Sequence, residues 1–187
     1  MEEDFSEDTI ESQIYTVGNN IYFHSDIDSI SAFSLSKEIK KTSLNISKQS
    51  IEYSFDPYIN LYITSYGGDL NETLGLVDLV VNNEIGINTY VRGYACSSAS
   101  ILSVNGVNRY IYKNSYMLIH QLSSSMEGKF NDLKNEMKIN EELMDNIIDI
   151  YKSKTSMTKK KIEEILSQEL WLNSKLCLEL GLVDDII

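Results

Sequence analysis

The sequence predicts one α/β domain in which parallel strands are joined by helical crossovers. Three observations carry this. Short β-type apolar runs at residues 58–64, 87–91, 109–112 and 116–119 alternate with segments of helical periodicity. Glycine-bearing turns separate the two kinds of segment. The chain has 187 residues, the length of an ordinary single domain, and carries no internal repeat or obvious linker.

In chain order, residues 1–13 are acidic and polar and predict a flexible tail. Residues 14–23 read as strand, interrupted by the turn signal Gly18-Asn19-Asn20. Residues 28–41 read as helix, with Ile30, Phe33, Leu35 and Ile39 as its apolar positions. Residues 42–55 are polar and carry no clear period. Pro57 precedes the run 58–64, which ends at Ser65-Tyr66-Gly67-Gly68. A helix over 70–81 follows, with Leu70, Leu74, Val77 and Val81 expected on one face. After the 87–91 run come Gly93 and the small residues 95–100, then the turn Asn105-Gly106 and the last two β-type runs. A long polar-rich helix is predicted over 128–151, marked by Leu133, Met137, Leu143, Ile147 and Ile150. Two short helices are predicted at 157–166 and 174–180, the last capped by Gly181.

Composition excludes several classes. Hydrophobic residues make up 42% and charged residues 24%, so bulk disorder is ruled out. No apolar run is long enough to span a bilayer, so no membrane association is expected. The formal charge is -12, and the only arginines are Arg92 and Arg109, so no nucleic-acid partner is expected. The first twelve residues carry six acids and no base, unlike a secretory signal. With only Cys96 and Cys177, neither a disulfide framework nor a four-cysteine zinc site is expected. The two histidines, His24 and His120, are far apart in sequence. No metal and no cofactor is expected, and the location expected is the reducing cytoplasm.

Three places carry candidate chemistry. Gly67-Gly68 lies between a strand and a helix, where exposed N–H groups can hold an anion or oxyanion. Without a third glycine or a Gly-Lys-Ser/Thr it is neither a dinucleotide fingerprint nor a phosphate loop. The small-residue junction Gly93-Tyr94-Ala95-Cys96-Ser97-Ser98-Ala99-Ser100 can set a serine at a helix start. Composition does not choose among Ser97, Ser98 and Ser100, and Cys96 reads as a small buried hydrophobe. His120 ends one β-type run, where a histidine can serve as a hydrogen-bonded rim residue or accept a serine proton. His24, after Phe23, has a comparable setting.

These segments, taken together and in this order, resemble the proteolytic subunit of the Clp protease family. Gly93-Tyr94-Ala95-Cys96-Ser97-Ser98-Ala99 is similar to its nucleophile segment, and Leu118-Ile119-His120-Gln121-Leu122 to its histidine segment, preceded by Asn114-Ser115. Ser65-Tyr66-Gly67-Gly68 resembles its Ser-Pro-Gly-Gly turn with the proline lost. Gln168-Glu169-Leu170-Trp171, running on to Leu180-Gly181-Leu182-Val183-Asp184, resembles its C-terminal tract. The likeness covers roughly residues 14–187 and is strongest over 61–119 and from 169 onward.

The resemblance implies a crotonase-like fold of β-α superhelical repeats in a single domain over 14–187. A head would comprise about 14–119 and 153–187, and a protruding handle helix about 120–152. It implies a serine endopeptidase with the triad Ser97, His120 and Glu169 and an oxyanion hole from the Gly68 and Ser98 N–H groups. It further implies protein or peptide substrates, stacked heptameric rings enclosing a chamber, and an ATP-driven unfoldase of the AAA+ type as partner. The chain departs from the family at four points. Glu169 stands where the family has aspartate, and Gln168 where it has the arginine of a ring-to-ring contact. The loop around 105–108 is slightly shorter, and the N-terminal segment lacks a match to the apolar axial loops. The alternatives are a catalytically impaired structural or regulatory ring subunit, a phage-type protease that processes capsid or scaffold proteins, and acyl-CoA chemistry on the same fold.

Overall fold

A computed structural model describes residues 13–53 and 57–187, so the predicted tail, Gln13 apart, lies outside the described residues. Strand β1 (Ile14–Val17) and β2 (Asn20–Phe23) form a hairpin on the Gly18-Asn19 turn, where Gly18 has φ 62°. Helix α1 (Ser29–Tyr53) returns the chain to β3 (Tyr58–Ser65), which pairs parallel to β2. Helix α2 (Leu70–Val81) then leads to β4 (Gly86–Cys96), parallel to β3. After the short helix α3 (Ser98–Ser103), β5 (Arg109–Ile111) pairs with residues 89–91 of β4, and β6 (Tyr116–Ile119) pairs with residues 94–96. The long β4 thus serves two partners in succession. Helices α4 (Phe130–Lys154) and α5 (Lys159–Gln168) lead to β7 (Leu170–Asn173), antiparallel to β6. Helix α6 (Ser174–Glu179) and β8 (Asp185–Ile186), parallel to β5, end the chain. The architecture is α/β with alternating strands and helices, as expected. Among the described residues no helix is long and apolar enough to cross a membrane.

Several boundaries differ from the expectation for identifiable reasons. Helix α1 runs well past residue 41 because its buried stripe is Ala32, Leu35, Ile39, Thr42 and Ile46, alternately three and four apart. Two stripe positions are Ala and Thr, so the pattern was masked by Ile30 and Phe33, which are exposed at 76% and 72%. In α2 the buried face is Thr73, Leu76, Val77 and Val80, whereas Val81 is exposed. Strand β7 was not anticipated, because four residues between two helices carry no period of their own and are defined by pairing with β6. Of the markers on α4, Ile147 is buried but Met137 is exposed, and only Ile147, Ile148 and Tyr151 at the C-terminal end are buried.

The core lies on one face of the sheet, where Ile21, Phe23, Leu61, Ile63, Ile87 and Val91 are fully buried. The opposite face carries Asn-x-Tyr four times, at Asn20/Tyr22, Asn60/Tyr62, Asn88/Tyr90 and Asn108/Tyr110. Tyr15, Tyr22, Tyr62, Tyr90 and Tyr110 stack in one row, with neighbouring ring centroids 4.7 Å apart. The four asparagine amides form a second row, in which the Nδ2 of Asn60, Asn88 and Asn108 donates to the Oδ1 of Asn20, Asn60 and Asn88 respectively, at 2.8–3.2 Å.

The C-terminal tract is pinned by Arg109. Its Nε and Nη2 donate to the Asp184 carboxylate, and its Nη1 donates to the carbonyls of Gly181 and Lys154, where α4 ends. These bonds hold the Asp184 carboxyl below its ordinary range. A depressed folded value means that the contribution is complete above the unfolded value of about 4 and is lost as pH falls through the folded value. Arg109→Gln is expected to lower the melting temperature at neutral pH. It is also expected to remove part of the steepening of the melting-temperature profile expected of wild type below about pH 4. Identical profiles for the two proteins would contradict this role.

Candidate active site

Strands β3, β4 and β6 run parallel, so their carboxyl ends open on the same edge of the sheet. That edge collects Gly67-Gly68 after β3, Ser97 after β4 and His120 after β6. Gly68, Ser97, Ser98 and His120 line one cleft of about 180 Å³, with Leu70, Ile101, Leu122, Ile147 and Tyr151 among its walls. A larger recess, about 760 Å³, lies between the β1–β2 turn and α1 and is lined by Thr16, Asn19, Lys41 and Lys48, with no serine or histidine.

The candidates that spacing left open differ in their surroundings. Ser97 has φ 54° and ψ -128°, and its hydroxyl makes no hydrogen bond among the described residues. Its N–H donates to the Leu118 carbonyl at 2.8 Å, and its carbonyl accepts from the Ser100 N–H at 3.0 Å and hydroxyl at 2.6 Å. Ser98 and Ser100 are buried, and their hydroxyls are engaged with the Gly68 carbonyl and with Tyr151. Cys96 is 1% exposed, and burial pushes its thiol up to about 11, so it is not a nucleophile at neutral pH. His24 lines a different cleft, with Gln13, Asp26, Thr64 and Tyr94. Burial, and secondarily Arg92, hold its pKa below the ordinary range.

The glycine turn is packed against Ser97. A Cβ on Gly67 would fall 2.6 Å from the Cys96 carbonyl oxygen and 2.8 Å from the Ser97 Cβ. A Cβ on Gly68, at φ 145°, would fall 2.1 Å from the Ile27 carbonyl oxygen. The Ser98 N–H opens α3 and so has no helical acceptor. The Gly68 N–H donates to no backbone acceptor outside the regular elements. Both N–H groups are therefore available beside Ser97.

His120 and Glu169 are related by register. The β6–β7 ladder ends at Ile119 opposite Leu170, so His120 and Glu169 are the next residues beyond its last pair. Both line a second recess with Leu118, Gln121 and Ser123. Glu169 has φ 52°, so the ladder stops there; Ser97 and Glu169 are the only non-glycine residues with positive φ among the described residues. No hydrogen bond joins His120 to Ser97 or to Glu169. Instead the His120 Nδ1 lies 2.6 Å from the Gln121 carbonyl oxygen. A carbonyl only accepts, so Nδ1 carries a proton, and in the neutral ring Nε2 is then the acceptor, the tautomer that takes a proton from a hydroxyl. Among the described residues no group of three or more metal-ligating side chains occurs.

Sequence reasoning missed Tyr151 as part of this cleft. The available signal was a hydroxyl-bearing residue closing an otherwise aliphatic stripe, Ile147 and Ile148, at the end of the long helix.

Comparison with known proteins bears on the same residues. A family model described as Clp protease matches residues 26–187. A curated protein, the ATP-dependent Clp protease proteolytic subunit 1 of Rhodopirellula baltica, is 28% identical over 131 residues. That match covers 69% of this chain and 58% of the relative's length.

Proposed function

Because the chain belongs to the Clp protease family, we propose that it is a serine-type endopeptidase whose nucleophile is Ser97. One observation carries the reading: an unbonded serine hydroxyl on a positive-φ junction shares a cleft with His120 and two available N–H groups. Residues held in sparsely populated backbone conformations cluster at functional sites, and here two of the three triad candidates are so held.

The chemistry follows from these positions. The Ser97 hydroxyl attacks the scissile carbonyl while His120 Nε2 takes its proton. The Gly68 and Ser98 N–H groups receive the negative charge that develops on the carbonyl oxygen, and His120 then protonates the leaving amine. Glu169, reached by rotation of its side chain across the β6–β7 step, stabilises the imidazolium in place of the Gln121 carbonyl. The aliphatic walls given by Leu70, Ile101 and Ile147 favour an apolar side chain beside the cleaved bond. In this reading the fold is the crotonase-like superhelix. The exposed length of α4, with Phe130, Met137 and Ile139 bare, is the surface on which subunits of two rings interlock. Substrate chains would be delivered to the chamber by an ATP-driven unfoldase.

Labelling the assembled protein with a fluorophosphonate and mapping the adduct tests this. The adduct is expected on Ser97 of a particle of several hundred kilodaltons. An assembled particle that takes up no label would favour the second reading, a ring subunit impaired in catalysis. The bond of His120 Nδ1 to the Gln121 carbonyl rather than to Glu169 is the observation on that side.

A further inference from the structure

We propose that Tyr151 is a positioning residue that makes the reactivity of Ser97 depend on how the base of α4 is seated. The inference rests on the serine-nucleophile reading above. Tyr151 is 2% exposed, and its hydroxyl lies 2.7 Å from the Ser100 Oγ. Ser100 is fully buried, and its hydroxyl lies 2.6 Å from the Ser97 carbonyl oxygen. The direction of this chain is fixed by proton counting. A carbonyl only accepts, so the single proton of Ser100 goes to Ser97, and the Tyr151 hydroxyl must donate to Ser100. A hydroxyl that receives a hydrogen bond becomes a better donor, more so in a dry interior.

The end of the relay is the strained residue. Ser97 keeps φ 54° only while its neighbours over-determine it, and three bonds do so: its N–H to Leu118, and its carbonyl to the Ser100 N–H and hydroxyl. Two of the three come from Ser100, and the orientation of one is set by Tyr151. The other end lies on a helix whose buried residues are Ile147, Ile148 and Tyr151, near its C-terminal end, while most of its length is exposed. Displacement of α4 would draw the Tyr151 hydroxyl off Ser100 and free the Ser97 peptide to leave its attacking conformation. The tyrosine ring, by contrast, is a wall of the cleft and remains when the hydroxyl alone is removed.

The test is saturation kinetics of fluorophosphonate labelling on the assembled protein, which separates probe binding from acylation. For Tyr151→Phe the acylation rate constant is expected to fall about tenfold, the equivalent of one buried hydrogen bond, with binding unchanged. Ser100→Ala is expected to show a similar loss, and it carries the test if the tyrosine variant does not fold. The double variant is expected to lose no more than the worse single one, because both changes cut the same relay. Wild-type acylation rates in both single variants, or losses that multiply in the double variant, would overturn the proposal and leave Ser97 as the nucleophile. Absence of label from wild-type Ser97 would overturn both readings.

Discussion

Replacing Ser97 by alanine is expected to lower turnover of a fluorogenic peptide with an apolar residue before the cleaved bond by at least about 10⁴-fold. The melting temperature and particle size are expected to stay at wild-type values. The separation of the two effects follows from the geometry. The Ser97 hydroxyl makes no hydrogen bond among the described residues, so deleting it breaks no structural contact. Alanine meets the same backbone strain at φ 54° that serine does. On the serine-nucleophile reading the expected loss is therefore chemical rather than structural. Stopped turnover accompanied by a collapsed particle would assign Ser97 to folding. Unchanged turnover would move the nucleophile elsewhere.

The second large effect is expected at Gly68. In Gly68→Ala the new methyl would stand 2.1 Å from the Ile27 carbonyl oxygen, 2.9 Å from its carbonyl carbon and 3.0 Å from its nitrogen. All three atoms are backbone, and they are tethered: the Ile27 N–H donates to the Gly67 carbonyl at 2.7 Å, and the Ile27 carbonyl accepts from the Asp69 N–H at 2.8 Å. No flexible side chain is available to yield, so the turn itself moves and carries the Gly68 N–H out of line with that of Ser98. On the proposed reading the Gly68 N–H is an oxyanion donor, and the rate constant for turnover is expected to fall by about 10²–10³-fold. Repacking the turn is also expected to lower the melting temperature by several degrees, since overpacking typically costs about 1–3 kcal/mol. Gly75→Ala is the internal control. It lies in α2 with no atom within 4 Å of an added Cβ, and alanine there is expected to stabilise by roughly 0.5–1 kcal/mol with turnover unchanged. Equal behaviour of the two variants would remove the glycine turn from the catalytic argument.

What the sequence made legible were features whose chemistry is local. The β-type run before Gly67-Gly68 and the helix after it are specified within one stretch, so β3, the turn and α2 could all be located. Choosing Ser97 over Ser98 and Ser100, or His120 over His24, was beyond composition. Those choices depend on which strand ends the parallel pairing of β3, β4 and β6 brings to one edge. The phase of α1 was obscured because Ala32 and Thr42 hold core positions while Ile30 and Phe33 do not. Strand β7, and with it the placing of Glu169 one step from His120, exists only as a partner of β6. Tyr151 escaped for the same reason, since its meaning comes from Ser100, fifty-one residues earlier.

The twin rows on the open face of the sheet bear on the fidelity of strand pairing. Hydrophobic alternation penalises a slip of one residue, which turns the core face outward, but it is blind to a slip of two, which restores the same face. Here a two-residue error between β2 and β3 would set Tyr62 opposite Asn20 or His24, interrupting the ring stack and the amide row together. The same holds at each junction as far as β5. A chain that must assemble five parallel or antiparallel neighbours from distant segments thus carries its own proofreading against the one misalignment that burial alone would let pass.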